Sequence, residues 1–464
     1  MKNKFFSILL VLVLVLAGIT VKPVEAGAYA TPFTTSITYQ NVGDGPATIT
    51  LMFYAESSAN PITINLPELA KMAGTSIYVG SVGDISSGFK GSAVMSSNQP
   101  VVATMVQVAA ANSAVKVRPL SNGFAGGSSY VLVPTVLKAL YDYNSLVSVQ
   151  NVDTATLDYR LVFVPVTGAP ITVNTNQVPA GATKYYDLGV MSAIPAGFNG
   201  SLQIYATKTG GTDAGLVVAS AMEMAINGNT AYAFEGTNVF ANKIYMPSGM
   251  CKYQGKNDSS YAVQNTTDAP VDVTVKYSNG VNDGPYTLAA GAKKSFVACN
   301  ATQPGFIGSA TIEATGAIVA MGKIYGGGLS TAFLGFTAGA SKVALPYVRW
   351  TTAHWTDGTR QRSYIAIQNV GADLAEGAVV VKYYDKNGVL VDTKTLPAIP
   401  AGGKVNSTPE GLMGGEFGYY ADNTYGGSAV VEGPAGSQLA VVVRIQQVVG
   451  TSAAAEDYNG IAIQ

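Results

Sequence analysis

Residues 260–277 read Ser-Tyr-Ala-Val-Gln-Asn-Thr-Thr-Asp-Ala-Pro-Val-Asp-Val-Thr-Val-Lys-Tyr, and this stretch decides the fold. In its second half Val273, Val275 and Tyr277 fall on one face, while Asp272, Thr274 and Lys276 fall on the other. That period of two is the mark of a half-buried strand. Its first half is a second strand-like run, Ser260–Val263, ending at Gln264-Asn265. Asn bonds its own backbone two residues on, so the polar residues between the runs read as a turn.

The same pattern recurs along the chain. Gln-Asn stands at Gln40-Asn41, Gln150-Asn151, Gln264-Asn265 and Gln368-Asn369, with spacings of 110, 114 and 104 residues. Gly-Ser opens a later strand at Gly91-Ser92, Gly200-Ser201, Gly308-Ser309 and Gly427-Ser428. In each copy a Gly- or Pro-containing break is expected after that strand, before a more apolar run such as Leu439–Val443. Aromatic-x-Gly closes each copy at Phe124/Gly126, Phe234/Gly236, Phe333/Gly335 and Tyr458/Gly460. A strand ending in Pro134, Pro247 or Pro346 then opens the next copy. Three copies share a Gly turn, at Gly181, Gly291 and Gly402; the first has Leu66–Met72 instead, where one helical turn is expected.

About seven short strands per ~110 residues is the pattern of an antiparallel sandwich. The sequence therefore predicts an all-β protein of four tandem immunoglobulin-like β-sandwich domains, 27–128, 129–240, 241–341 and 342–464, after a signal peptide. Short strand-like links predict a semi-rigid row, roughly 140–160 Å long from strand rise and loop size. The arrangement resembles the tandem immunoglobulin-like modules of bacterial cell-surface and surface-layer-type proteins. That resemblance implies a structural, adhesive or ligand-displaying role outside the membrane.

Residues 1–26 read as an export signal: Lys2 and Lys4, an apolar run Ile8–Ala17, and Val24-Glu25-Ala26 before the cut. The expected location is secreted, extracellular and at the cell surface. No later stretch is apolar enough for a transmembrane helix. Charged residues are 12% of the 464, about half the usual ~25%. Lys+Arg is 27 and Asp+Glu is 28, a balance that excludes a basic nucleic-acid binder. Scarce charge leaves apolar sheet edges unguarded, so association with copies of itself or other envelope proteins is expected, with Gly27–Tyr39 as a candidate added strand.

The chain carries no Gly-x-Ser-x-Gly, His-Glu-x-x-His or phosphate-loop motif, and His354 is its single histidine. No catalysis, cofactor or metal is expected. Cys251 and Cys299 are the two cysteines, and in an exported chain their pairing is the default. The third copy also holds the sequons at Asn257, Asn265 and Asn300. The fourth copy has 22 positions between Pro346 and Gln368, against 16 and 17 in the two before it. The extra segment holds Arg349, Trp350, His354, Trp355, Arg360 and Arg362, the candidate ligand-binding residues. Trp can stack on sugar faces and Arg can grip carboxylate or phosphate, so a polysaccharide is the expected ligand class. The competing reading closes the sandwich end with Trp350 and keeps a loop soluble with the arginines. Whether the aromatic loop Glu416–Tyr425 sits at the same end is left open by the sequence.

Overall fold

The computed structural model describes residues 33–109, 117–228, 230–450 and 452–463. The export signal and the rest of residues 1–32 lie outside them. The described chain is all-β, and its paired strands are antiparallel.

The first repeat contributes β1 (Phe33–Asn41), β2 (Ile49–Ala55), β3 (Pro61–Asn65), β4 (Gly74–Tyr78), β5 (Gly91–Ser97), β6 (Val101–Ala109) and β7 (Leu120–Asn122). The second contributes β8 (Tyr130–Lys138), β9 (Tyr143–Asn151), β10 (Leu157–Pro165), β11 (Ile171–Val178), β12 (Thr183–Asp187), β13 (Phe198–Lys208), β14 (Val217–Ala225) and β15 (Ala231–Glu235). The third contributes β16 (Ala241–Cys251), β17 (Asp258–Asn265), β18 (Val271–Tyr277), β19 (Asn282–Leu288), β20 (Lys293–Val297), β21 (Phe306–Gly326) and β22 (Leu329–Leu334). The fourth contributes β23 (Lys342–Leu345), β24 (Arg360–Asn369), β25 (Val380–Tyr384), β26 (Leu390–Thr395), β27 (Lys404–Ser407), β28 (Ser428–Glu432), β29 (Leu439–Val449), β30 (Ser452–Asn459) and β31 (Ile461–Ala462).

Each Gln-Asn strand is central in one sheet: β4-β1-β6-β7, β12-β9-β14-β15 and β27-β24-β29-β30. The facing sheets run β3-β2-β5, β11-β10-β13-β8 and β26-β25-β28-β23-β31. In the third repeat the two sheets are one, because the 21-residue β21 passes from β16 and β18 to β17 and β22. The expected break is absent there. A Cβ on Gly316 would lie 2.6 Å from Val271 Cγ1, so glycine lets the strand pass close over its neighbour without a loop. Leu66–Met72 is not helical: Leu69 bridges Ala47 and a turn follows.

The Asn of each marker is fully buried and makes the same contacts four times. Its Oδ1 accepts the backbone N–H two residues on, from Gly43, Asp153, Thr267 and Gly371. Its Nδ2 donates across the turn to Gly45, Ala155, Ala269 and Ala372, and also to the strand beyond at Leu69, Val178, Leu288 and Ile399. Buried backbone carbonyls need such partners, which explains the residue.

The repeats do not form a row. Backbone bridges join Thr75 to Gly426, and Gly427 N donates to Gly74 O at 3.2 Å, so the fourth repeat closes onto the first. At the centre β7, β15, β22 and β30 lie against one another in a closed cycle. Apolar clusters cross the joins: Met321 and Ala332 pack with the second repeat, Val442 and Ala455 with the third, and Val106 and Leu120 with the fourth. The row required modules meeting only at their ends; here a side surface of each covers its neighbour, and the chain is a ring. Gly27–Tyr39 is likewise not a free strand from Phe33 onward, since β1 pairs with β4 and β6.

Candidate functional site

Two kinds of site emerge, the ring joins and a loop cluster on the fourth repeat. The joins are built from the Gly-Ser and Gln-Asn markers together. Ser92 Oγ of the first repeat donates to Gly181 O of the second at 3.3 Å, and Gln150 Nε2 donates to the same carbonyl at 3.2 Å. Gln264 Nε2 of the third donates to Ser201 Oγ of the second at 2.7 Å and to Gly291 O at 3.2 Å. Ser309 Oγ of the third donates to Gly402 O of the fourth at 3.0 Å. Ser428 Oγ of the fourth donates to Met72 O of the first at 3.2 Å. Gly181, Gly291, Gly402 and Met72 all have left-handed backbone, with φ of 76°, 67°, 73° and 63°. That turn aims the carbonyl at the preceding repeat. The sequence reading found both markers but treated them separately, because partners in different repeats leave no mark in spacing.

Lysines reinforce two joins. Lys293 Nζ donates to Thr135 Oγ1 at 3.1 Å and Gly200 O at 3.0 Å, and Lys404 Nζ donates to Gly308 O at 3.4 Å. Burial pulls both ammonium groups down to about 8. The ring centre adds ion pairs between repeats. Arg118 Nε meets Glu456 at 3.0 Å, and Lys323 pairs with Glu223. Thr331 Oγ1 donates at 2.8 Å to Asp457, which is also held by Arg444. Asn122 N donates to Glu235, whose carboxyl burial pushes up.

The six residues singled out on the fourth repeat divide. Arg349 is 1% exposed. Its Nη1 donates to the carbonyls of Val348, Gly426 and Gly427, and its Nη2 to Ser76 Oγ of the first repeat at 3.2 Å. It is therefore part of the closing join. Trp350 is buried in the fourth core between Phe417 and Arg362, whose guanidinium lies 4.4 Å from its ring. Arg360 is exposed on β24. His354 and Trp355 are half-buried, with ring centroids 4.5 Å apart.

The loop Glu416–Tyr425 does sit at the same end. Glu416 Oε1 accepts from Thr352 N at 2.8 Å and Ala353 N at 2.6 Å, pinning one loop to the other. Tyr419 then lies beside His354 and 6.0 Å from Trp355, with Tyr425 4.9 Å beyond. The result is a partly open row of aromatic rings, with Arg360 nearby in sequence. Burial holds His354 below its ordinary value, so the imidazole is neutral near pH 7. The aromatic loop Glu416–Tyr425 is visible in the sequence, but the approach of Tyr419 to Trp355 depends on the fold.

A second concavity of about 440 Å³ lies on the second repeat, lined by Asp158, Arg160, Asn174, Asn176 and Tyr205. Arg160 lies over the Tyr205 ring at 3.9 Å. Cys251 and Cys299 are joined by a disulfide that ties the end of β16 to the helical turn Ala298–Ala301. Cys299 Sγ and Asp258 sit together, but both sulfurs are spent on the disulfide and offer no thiolate to a metal. Of the sequon asparagines Asn257 and Asn265 are buried and Asn300 is exposed. No helix among the described residues is long and apolar enough to cross a membrane.

No family model matches the chain, and no curated protein matches it. Among solved structures it is similar to the crystal structure of a tetra-tandem repeat in the extending region of a large adhesion protein. The identity is 12%, over 93% of this chain and 95% of that one, with a TM-score of 0.10.

Proposed function

We propose that this chain is a non-catalytic, exported structural protein of the cell surface or extracellular matrix, working as a rigid ring that associates with copies of itself. The closing join between Ser428 and Met72 carries the reading, because it ties the fourth repeat back to the first and makes the four repeats one platform. The conspicuous polar residues, the Gln-Asn and Gly-Ser markers and the buried ion pairs, serve cohesion of that platform. Electron microscopy of the native envelope with an antibody to this chain tests the reading. Ring-shaped particles in a surface or matrix layer are the expected result; a cytoplasmic signal overturns it.

A second reading, binding of a polysaccharide, is favoured by the meeting of His354, Trp355, Tyr419 and Tyr425 in one partly open row. Sugar faces stack on such rings. Polysaccharide pull-down with the whole protein and its Trp355→Ala variant tests it. Retention of the wild type alone supports the reading, and equal retention or none removes it.

A further inference from the structure

We propose that β5 is a strand-addition edge through which two copies of the processed protein pair, β5 against β5, joining their three-stranded sheets into one. The proposal rests on the exported, self-associating reading above and names the surface that does it.

In the second, third and fourth repeats the Gly-Ser strand is flanked by an opening strand: β13 by β8, β21 by β16, and β28 by β23. Among the described residues β5 pairs with β2 alone. The core shows the gap. Leu202, Ile204, Ala310, Ile312, Ala429 and Val431 are at most 1% exposed. Ala93 and Met95, at the corresponding places after Gly91-Ser92, are only half-buried. The seam closed elsewhere by pairs such as Val131/Val133 and Val343/Leu345 stays open.

The missing strand has a candidate in the chain. Ile19-Thr20-Val21-Lys22-Pro23 alternates like the opening strands, and Pro23 stands 17 residues before Gln40, as Pro247 stands before Gln264. It lies inside the export signal. A cut after Ala26 leaves Gly27–Pro32 ahead of β1, six residues that must supply both a hairpin turn and a strand. Six residues span at most ~20 Å fully extended, too little to turn and run back along β5. Processing after Ala26 thus removes this strand-like run from the sequence.

The edge is also unguarded. The outer strands β3, β19 and β26 carry Pro61, Asp283, Pro285, Asp392 or Lys394, residues that discourage pairing. Gly-Ser-Ala-Val-Met-Ser-Ser of β5, like Ile-Thr-Val-Asn-Thr-Asn-Gln-Val of β11, has neither charge nor proline, and β5 differs from β11 in lying at the place where the other repeats add an opening strand. A second copy offers the same vacant edge, and a two-fold axis satisfies both at once.

The test uses residues 27–464, residues 18–464 and Val94→Lys in the shorter form; Val94 lies on the face of β5 away from the core partners Leu51 and Phe53. Sedimentation velocity over a concentration series should show a monomer–dimer equilibrium for 27–464. The same series should show at least a tenfold weaker dimer for Val94→Lys, and a monomer for 18–464. Amides of β5 should gain hydrogen-exchange protection on dimerisation. A monomer at every concentration, or a dimer indifferent to Val94→Lys, overturns the proposal. So does an exported protein whose N-terminal sequence begins at or before Gly18. A dimer of this kind in a protein found outside the surface layer would sink the envelope reading and leave the edge standing.

Discussion

The Ser428 hydroxyl in the fourth repeat donates to the Met72 carbonyl in the first, 3.2 Å away across 356 residues of chain. The same serine-to-turn relation links the first repeat to the second and the third to the fourth, so closure uses the chemistry of the internal joins.

Crowding that join should open the ring. A Cβ on Gly74 would sit 3.1 Å from Ser428 Cβ, and Gly74 O is also the acceptor for Gly427 N. Gly74→Glu places a longer, charged chain there, at a cost of about 1–3 kcal/mol for overpacking alone. Small-angle scattering should show a larger radius of gyration, with the β-sheet circular dichroism retained. An unchanged radius would mean that the fourth-to-first contact does not hold the shape.

Met72 occupies a left-handed position that glycine fills in the other three repeats. A non-glycine residue there is strained. Met72→Gly is expected to raise stability by about 1 kcal/mol, read by denaturant unfolding. The reverse change, Gly181→Met, should be far worse, because a Cβ there would lie 2.3 Å from the Tyr54 ring.

Alkaline stability follows from Lys293 and Lys404. Each is lowered by burial from 10.5 to about 8, so between those values the unfolded chain binds more protons than the folded one. Stability contributed by this pair therefore rises with pH from 8 to about 10. The full effect is about 3 kcal/mol per lysine at ~1.4 kcal/mol per unit. Tyr39, Tyr130, Tyr186 and Tyr347, pushed up to about 12 by burial, reverse the slope above pH 10, where the unfolded chain loses protons that the folded chain keeps. Thermal melts from pH 7 to 11 should peak between 9 and 10, and Lys293→Met with Lys404→Met should remove the rise.

Arg349→Ala should behave as a folding variant, not a binding one. Its guanidinium satisfies three buried carbonyls, and removing a charged donor from such a site costs about 2–4 kcal/mol. A lower melting temperature with unchanged polysaccharide retention is expected. Loss of retention at full stability would return Arg349 to the ligand site.

Much of the fold is written locally, and local features were legible. The alternation of Val273, Val275 and Tyr277 matches buried, apolar places on β18, and Asn265 starts the turn that its side-chain chemistry implies. The ring was not legible. Ser309 meets Gly402, and Arg118 meets Glu456, through contacts whose partners are far apart in the chain and obey no local period. The same holds for the fourth repeat. Arg349 and Trp355 stand six residues apart in the same inserted segment, and nothing in the sequence says that the first is buried against Ser76 of the first repeat while the second is half-open.

Closure by a head-to-tail contact has a further consequence. An interface that repeats with constant rotation and returns to its start is a cyclic oligomer. Here the four places are held by one polypeptide, so each partner meets the next at an effective concentration fixed by short connectors. Dilution cannot dissociate it, and a ring of separate copies would have no such protection.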